Sequence, residues 1–122
     1  MVNKQEYLNA VEQNIEMVRG DTLAFNFQLG GLTQAECEAL TVTFAVTNDY
    51  EEDALFEITN GTGIELIDYV DGIATYSVAV SPSITAGMEV ARYYYDLQIE
   101  DTDNKVTLMR GSFTLLYEVK GV

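Results

Sequence analysis

The feature that most constrains this chain is a period-two alternation of apolar and polar residues, repeated in separate short runs. Successive side chains of an extended strand point to opposite faces, so such a run buries one face and wets the other. Leu23, Phe25, Phe27 and Leu29 alternate with Ala24, Asn26 and Gln28. Val42, Phe44 and Val46 alternate with Thr43 and Ala45, and Tyr76, Val78 and Val80 with Ser77 and Ala79. Tyr93, Tyr95, Leu97 and Ile99 share one face of a further strand, with Tyr94 on the other. The spacing predicts a last long strand over residues 106–119, with Phe113, Leu115, Tyr117 and Val119 on one face and Gly111 marking a bulge or bend. A short first strand is expected over residues 15–18, cut off by Arg19-Gly20-Asp21.

The punctuation between the runs agrees. Asp71-Gly72 between two apolar runs is a hairpin signal. Asn60-Gly61 and residues 101–104 read as turns, and residues 49–53 as a hairpin tip. Helical pattern is scarce. Tyr7, Leu8 and Val11 allow one or two helical turns within residues 3–13, and residues 81–87 open on Ser-Pro and close on Gly, the chemistry of a single turn that crosses between sheets. These signals predict an all-β fold: a two-sheet immunoglobulin-like sandwich of seven to eight strands with a short N-terminal helical arm. The arm is residues 1–13 and the single domain residues 14–122. Phe25, Phe27, Val42, Phe44, Tyr76, Val78, Leu97 and Phe113 are the expected core.

Composition narrows function by exclusion. Six Lys and Arg against twenty Asp and Glu leave a net charge of −14 in 122 residues. A surface that acidic argues against a nucleic-acid binder, which needs clustered cations for phosphate. With no His and one Cys, the usual zinc sites, Ser-His-Asp triads and intrachain disulfides are out of reach. No stretch approaches the roughly 18 apolar residues of a membrane span, and the first twelve residues lack the apolar run of a secretion signal.

Each candidate for chemistry has a plain structural explanation. Cys37, flanked by Glu36 and Glu38, reads as an inert thiol in a loop or short helical turn. The acidic run at residues 49–53 reads as a solvated loop rather than a Ca²⁺ site, because it lacks a glycine that would let the chain wrap an ion. Asp101-Thr102-Asp103-Asn104 opens like a calcium loop but lacks its glycine and closing glutamate. Arg19-Gly20-Asp21, an adhesion tripeptide elsewhere, sits between two strands as turn material. The tyrosines at 93–95 read as core packing with hydroxyls at the rim. No catalytic, cofactor-binding or metal-binding residue is therefore expected.

The same residues carry a family resemblance. Arg19-Gly20-Asp21-Thr22 leading into an alternating strand resembles the opening of small phage tail and baseplate β-sandwich domains. Val80-Ser81-Pro82-Ser83-Ile84-Thr85-Ala86-Gly87, followed by Tyr93-Tyr94-Tyr95-Asp96-Leu97-Gln98-Ile99, is similar to their late crossover and strand. Thr107-Leu108-Met109-Arg110-Gly111-Ser112-Phe113-Thr114 resembles their closing strand. The likeness is to the N-terminal domain of siphophage baseplate upper proteins and spans about residues 14–119. It implies a non-enzymatic structural or assembly component of a phage or prophage tail, located in the virion. The implied partners are other tail proteins or further copies of itself, with no cofactor, nucleic acid or membrane. The alternative is a carbohydrate- or Ca²⁺-binding module on a virion or cell surface.

Overall fold

The computed structural model describes residues 11–119. Nine strands and two short helices follow in order: β1 (Val11–Glu12), β2 (Ile15–Val18), β3 (Leu23–Gly30), α1 (Gln34–Ala39), β4 (Thr41–Thr47), β5 (Ala54–Thr59), β6 (Ile64–Val70), β7 (Ile73–Val80), α2 (Pro82–Ala86), β8 (Arg92–Glu100) and β9 (Lys105–Leu116). They form the expected two-sheet immunoglobulin-like sandwich, with nine strands rather than seven to eight because Val11–Glu12 adds a strand at its start. One sheet runs β1-β9-β8-β4-β5, with β2 also paired to β9, and the other runs β3-β7-β6.

The alternating runs supply the two inner faces. Val42, Phe44 and Val46 from β4, Tyr93, Tyr95, Leu97 and Ile99 from β8, and Phe113 and Leu115 from β9 face Tyr76, Val78 and Val80 from β7. Phe44 is the hub. Its ring lies 5.3 Å from Tyr95, 5.9 Å from Phe25, 6.2 Å from Phe113 and 6.5 Å from Phe56. Six of the eight expected core residues are fully buried. Phe25 and Phe27 pack against the core but stay half-buried, because β3 is an edge strand paired only with β7. Phe27 compensates by stacking on Tyr76, with centroids 5.0 Å apart.

Turn chemistry sets the register. Asp71 and Gly72, with φ of 52° and 78°, form the two-residue hairpin between β6 and β7. Residues 49–53 form the tip between β4 and β5. In the turn before β9, Asp101 Oδ1 accepts from the backbone N–H groups of Asp103 and Asn104. Asn60 does more than turn the chain: its side chain accepts from the Val42 N–H at 2.7 Å and donates to the Leu40 carbonyl at 3.2 Å, pinning the start of β4.

Three expectations need correction. Val11 and Glu12, expected at the end of a helical arm, form strand β1, paired parallel to Met109 and Arg110. The remainder of the arm lies outside the described residues. The backbone of β9 supplies the reason: its outer edge needs partners, and the Gln13 N–H answers the Arg110 carbonyl at 3.0 Å. The bulge in β9 falls at Leu108, not Gly111, since Leu97 and Gln98 pair with Met109 and Thr107. Gly111 pairs regularly with Tyr95, and its missing side chain serves another purpose: a Cβ there would collide with the Gln13 carbonyl, where the chain between β1 and β2 passes close against β9. Finally, β9 ends at Leu116. The Arg19 N–H to the Leu116 carbonyl is the last bond of the ladder, and beyond it Tyr117 and Val119 are 75% and 74% exposed instead of continuing the buried face.

Candidate functional site

The corner where β2 leaves the large sheet absorbs the Arg19-Gly20-Asp21 motif. Gly20 takes φ of 85°, a left-handed conformation that suits glycine, and its N–H donates to the buried Thr85 Oγ1 at 3.0 Å. Arg19 donates to the Met88 carbonyl at 3.2 Å and makes two hydrogen bonds to the Glu118 carboxylate, at 2.7 and 3.3 Å. That pairing raises the Arg19 pKa and lowers the Glu118 pKa through the hydrogen bond between them, against a smaller opposing effect of burial. Arg19 is thus occupied within the fold. The tripeptide serves as a joint that ties the first turn, the α2 crossover and the segment after β9.

Cys37 sits buried inside α1, where burial pushes its thiol pKa up, opposed by a hydrogen bond with Tyr76. Its helix begins with a reciprocal cap: Thr33 Oγ1 accepts from the Glu36 N–H while the Glu36 carboxylate accepts from the Thr33 N–H. Tyr93 and Tyr95 belong to the core, as the alternation requires. The Tyr95 hydroxyl donates to the Gln13 carbonyl at 2.6 Å, and burial, with a smaller contribution from Tyr50, pushes its pKa up to about 12. Among the described residues, no group of three Cys, Asp or Glu side chains gathers where it would hold a metal ion.

The surface with distinctive chemistry is the outer face of the large sheet, organised around Tyr50. This residue belongs to the acidic hairpin tip, yet its ring folds back over the sheet. The hydroxyl donates toward the Tyr95 carbonyl at 3.1 Å and the Gly111 carbonyl at 3.0 Å, and accepts from the Gly111 N–H at 3.1 Å. The Arg110 guanidinium lies 4.2 Å from the ring centroid, a cation–π contact, and the Tyr94 ring lies 5.2 Å away on a tilted plane.

Tyr50 divides the face. On one side a cleft of about 250 Å³ is lined by Arg92, Arg110, Tyr94, Glu12, Asn14 and Ser112. The Ser112 N–H is already taken by Asn14 Oδ1 at 3.1 Å. Neither Arg92 nor Arg110 forms an ion pair among the described residues. On the other side a groove of about 330 Å³ is lined by Glu52, Glu57, Asp96 and Glu100, with Thr43, Gln98 and Lys105. Two of the chain's three arginines thus share one cleft in a strongly acidic protein. The sequence signal for this face was divided among β8, β9 and a loop, and nothing in their spacing announced that Tyr50 would lie over Arg110.

No family model and no curated protein matches the sequence. Among solved structures, the chain is similar to AggA, the major subunit of aggregative adherence fimbriae type I from Escherichia coli. The identity there is 12%, covering 88% of this chain and 91% of that chain, with a TM-score of 0.38. It is also similar to a family 123 glycoside hydrolase from Clostridium perfringens, at 10% identity and a TM-score of 0.42, covering 98% of this chain and 25% of that one. The architecture is read from the strand pairing itself. No helix among the described residues is long and apolar enough to cross a membrane.

Proposed function

We propose that this chain is a non-enzymatic structural or assembly component of a phage or prophage tail or baseplate, acting in the virion through protein–protein contacts with other tail proteins or with copies of itself. The observation that supports this best is the convergence of the motifs carrying the family resemblance. Arg19-Gly20 from the opening motif bonds to Thr85 of the crossover motif, and Arg19 also holds Glu118, just past the closing strand. Two of the motifs, distant in sequence, thus meet in one interlocked corner. A sandwich of this kind offers partners its edges as well: β5, β6 and β3 each have one unpaired side within the two sheets.

The test is location. Particles from an induced lysogen encoding this chain are purified by density gradient and labelled with antibody and gold. The expected result is label at the tail or baseplate, with the chain sedimenting with the particles. Recovery of the chain solely in the soluble, unassembled fraction would overturn the proposal.

A further inference from the structure

We infer that the outer face of the large sheet is a self-complementary docking surface for a second copy of this chain, with the basic cleft of each copy seated on the acidic groove of the other. The inference rests on the assembly reading and adds to it a face and a geometry. The observation is a charge gradient along one strand. Reading outward-facing positions of β8 in order gives Arg92, Tyr94, Asp96, Gln98 and Glu100, cation at one end and carboxylate at the other. The row that crosses the sheet at Asp96 adds a second gradient: Arg110 of β9 pairs with Asp96 on one flank, and Glu57 of β5 lies level with them on the other, beyond Ala45 of β4.

A surface whose two halves carry opposite charge fits itself when a twofold axis stands between them, because each contact then occurs twice. An axis rising from the sheet near Asp96 turns β8 end for end. Arg92 of one copy then meets Glu100 of the other, twice over. At the axis the two Asp96 carboxylates approach each other, and each is directly opposite Arg110 in its own ladder. Lys105 sits across from Glu100 and moderates the acidic pole without reversing it. Size agrees with a modest interface. Four strands of about nine residues project to roughly 500 Å², close to the ~600 Å² per partner at the small end of specific complexes. Dimers at tens of micromolar are expected, held by contacts that salt weakens.

The experiment is sedimentation equilibrium of the full chain in ~0.15 M salt, where the long-range repulsion between two acidic copies is screened. Arg92→Glu and Glu100→Arg are made separately; both positions are exposed, and thermal melting checks that each variant stays folded. Wild type is expected to dimerise, each variant alone to lose at least about tenfold in affinity, and an equimolar mixture of the two to recover a dimer. Three results overturn the inference: a wild-type monomer throughout the micromolar range, a dimer insensitive to both substitutions, or a mixture that fails to recover. A dimer insensitive to both would place self-association elsewhere and leave the assembly reading standing, whereas absence from particles would remove that reading without touching the dimer.

Discussion

Replacing Gly111 with alanine probes the strap that β1 and β2 lay along β9. An added Cβ would collide with the Gln13 carbonyl oxygen and stand 2.9 Å from the carbonyl carbon and 3.1 Å from Asn14 Oδ1. Ordinary carbon–carbon contact needs ~3.5 Å, so the strap has to lift by at least about 0.6 Å. Three hydrogen bonds depend on its present position: Gln13 N–H to the Arg110 carbonyl, Tyr95 hydroxyl to the Gln13 carbonyl, and Ser112 N–H to Asn14 Oδ1. At about 1 kcal/mol net apiece, losing or stretching them costs on the order of 2–3 kcal/mol. For a domain of this size that lowers the melting temperature by roughly 10 °C. The assay is thermal unfolding by circular dichroism, paired with amide hydrogen exchange at Gln13 and Ser112, whose protection should fall. Gly87→Ala is the control, since a Cβ there meets nothing within 4 Å and the backbone is not left-handed. If Gly111→Ala melts within about 2 °C of the parent with Gln13 protection unchanged, the account of this glycine is wrong.

Phe44→Ala should cost about 3–5 kcal/mol in urea unfolding, because the ring is fully buried among four aromatic neighbours. Tyr95 is held neutral up to about pH 12, above the ordinary tyrosine value near 10. Its contribution to stability is therefore complete below pH 10 and lost as pH rises toward 12; in Tyr95→Phe, that part of the alkaline decline should vanish from chemical unfolding curves. The acidic tip at residues 49–53 should take up no Ca²⁺: titration calorimetry at millimolar Ca²⁺ should show no binding heat, and a melting temperature that rises with Ca²⁺ and is cancelled by Asp53→Asn would contradict this.

Much of the sandwich was legible in the alternating runs. Leu23 to Leu29, Val42 to Val46 and Tyr93 to Ile99 each present the expected face to the core, since burial of one face of a strand writes itself directly into sequence. The Asp71-Gly72 hairpin was equally plain, because few residues adopt two successive positive φ angles. What escaped was long-range. Nothing local in Val11 and Glu12 says that they pair in parallel with Met109 and Arg110, and Gly111 betrays only that a side chain is unwelcome, not which segment excludes it. Helix α1 had a readable signal in Thr33 and Glu36, three apart, the spacing of a reciprocal cap. The charged outer face was the least legible. Tyr50 reads as part of an acidic tip, and only the return of that tip across the sheet brings its ring onto Arg110.

The parallel pairing of β2 with β9 also determines how the domain bears load. Tension applied at Val11 and Val119 pulls the first strands and the last in opposite directions along their common axis. The register from Ile15 opposite Phe113 to Val18 opposite Leu116 is then sheared as a block rather than peeled bond by bond. Arg19, clasped to Glu118, adds a latch at the exit end. Resistance to such pulling is set by the unfolding barrier rather than by equilibrium stability. A module threaded into a particle under strain would hold by the stiffness of that seam.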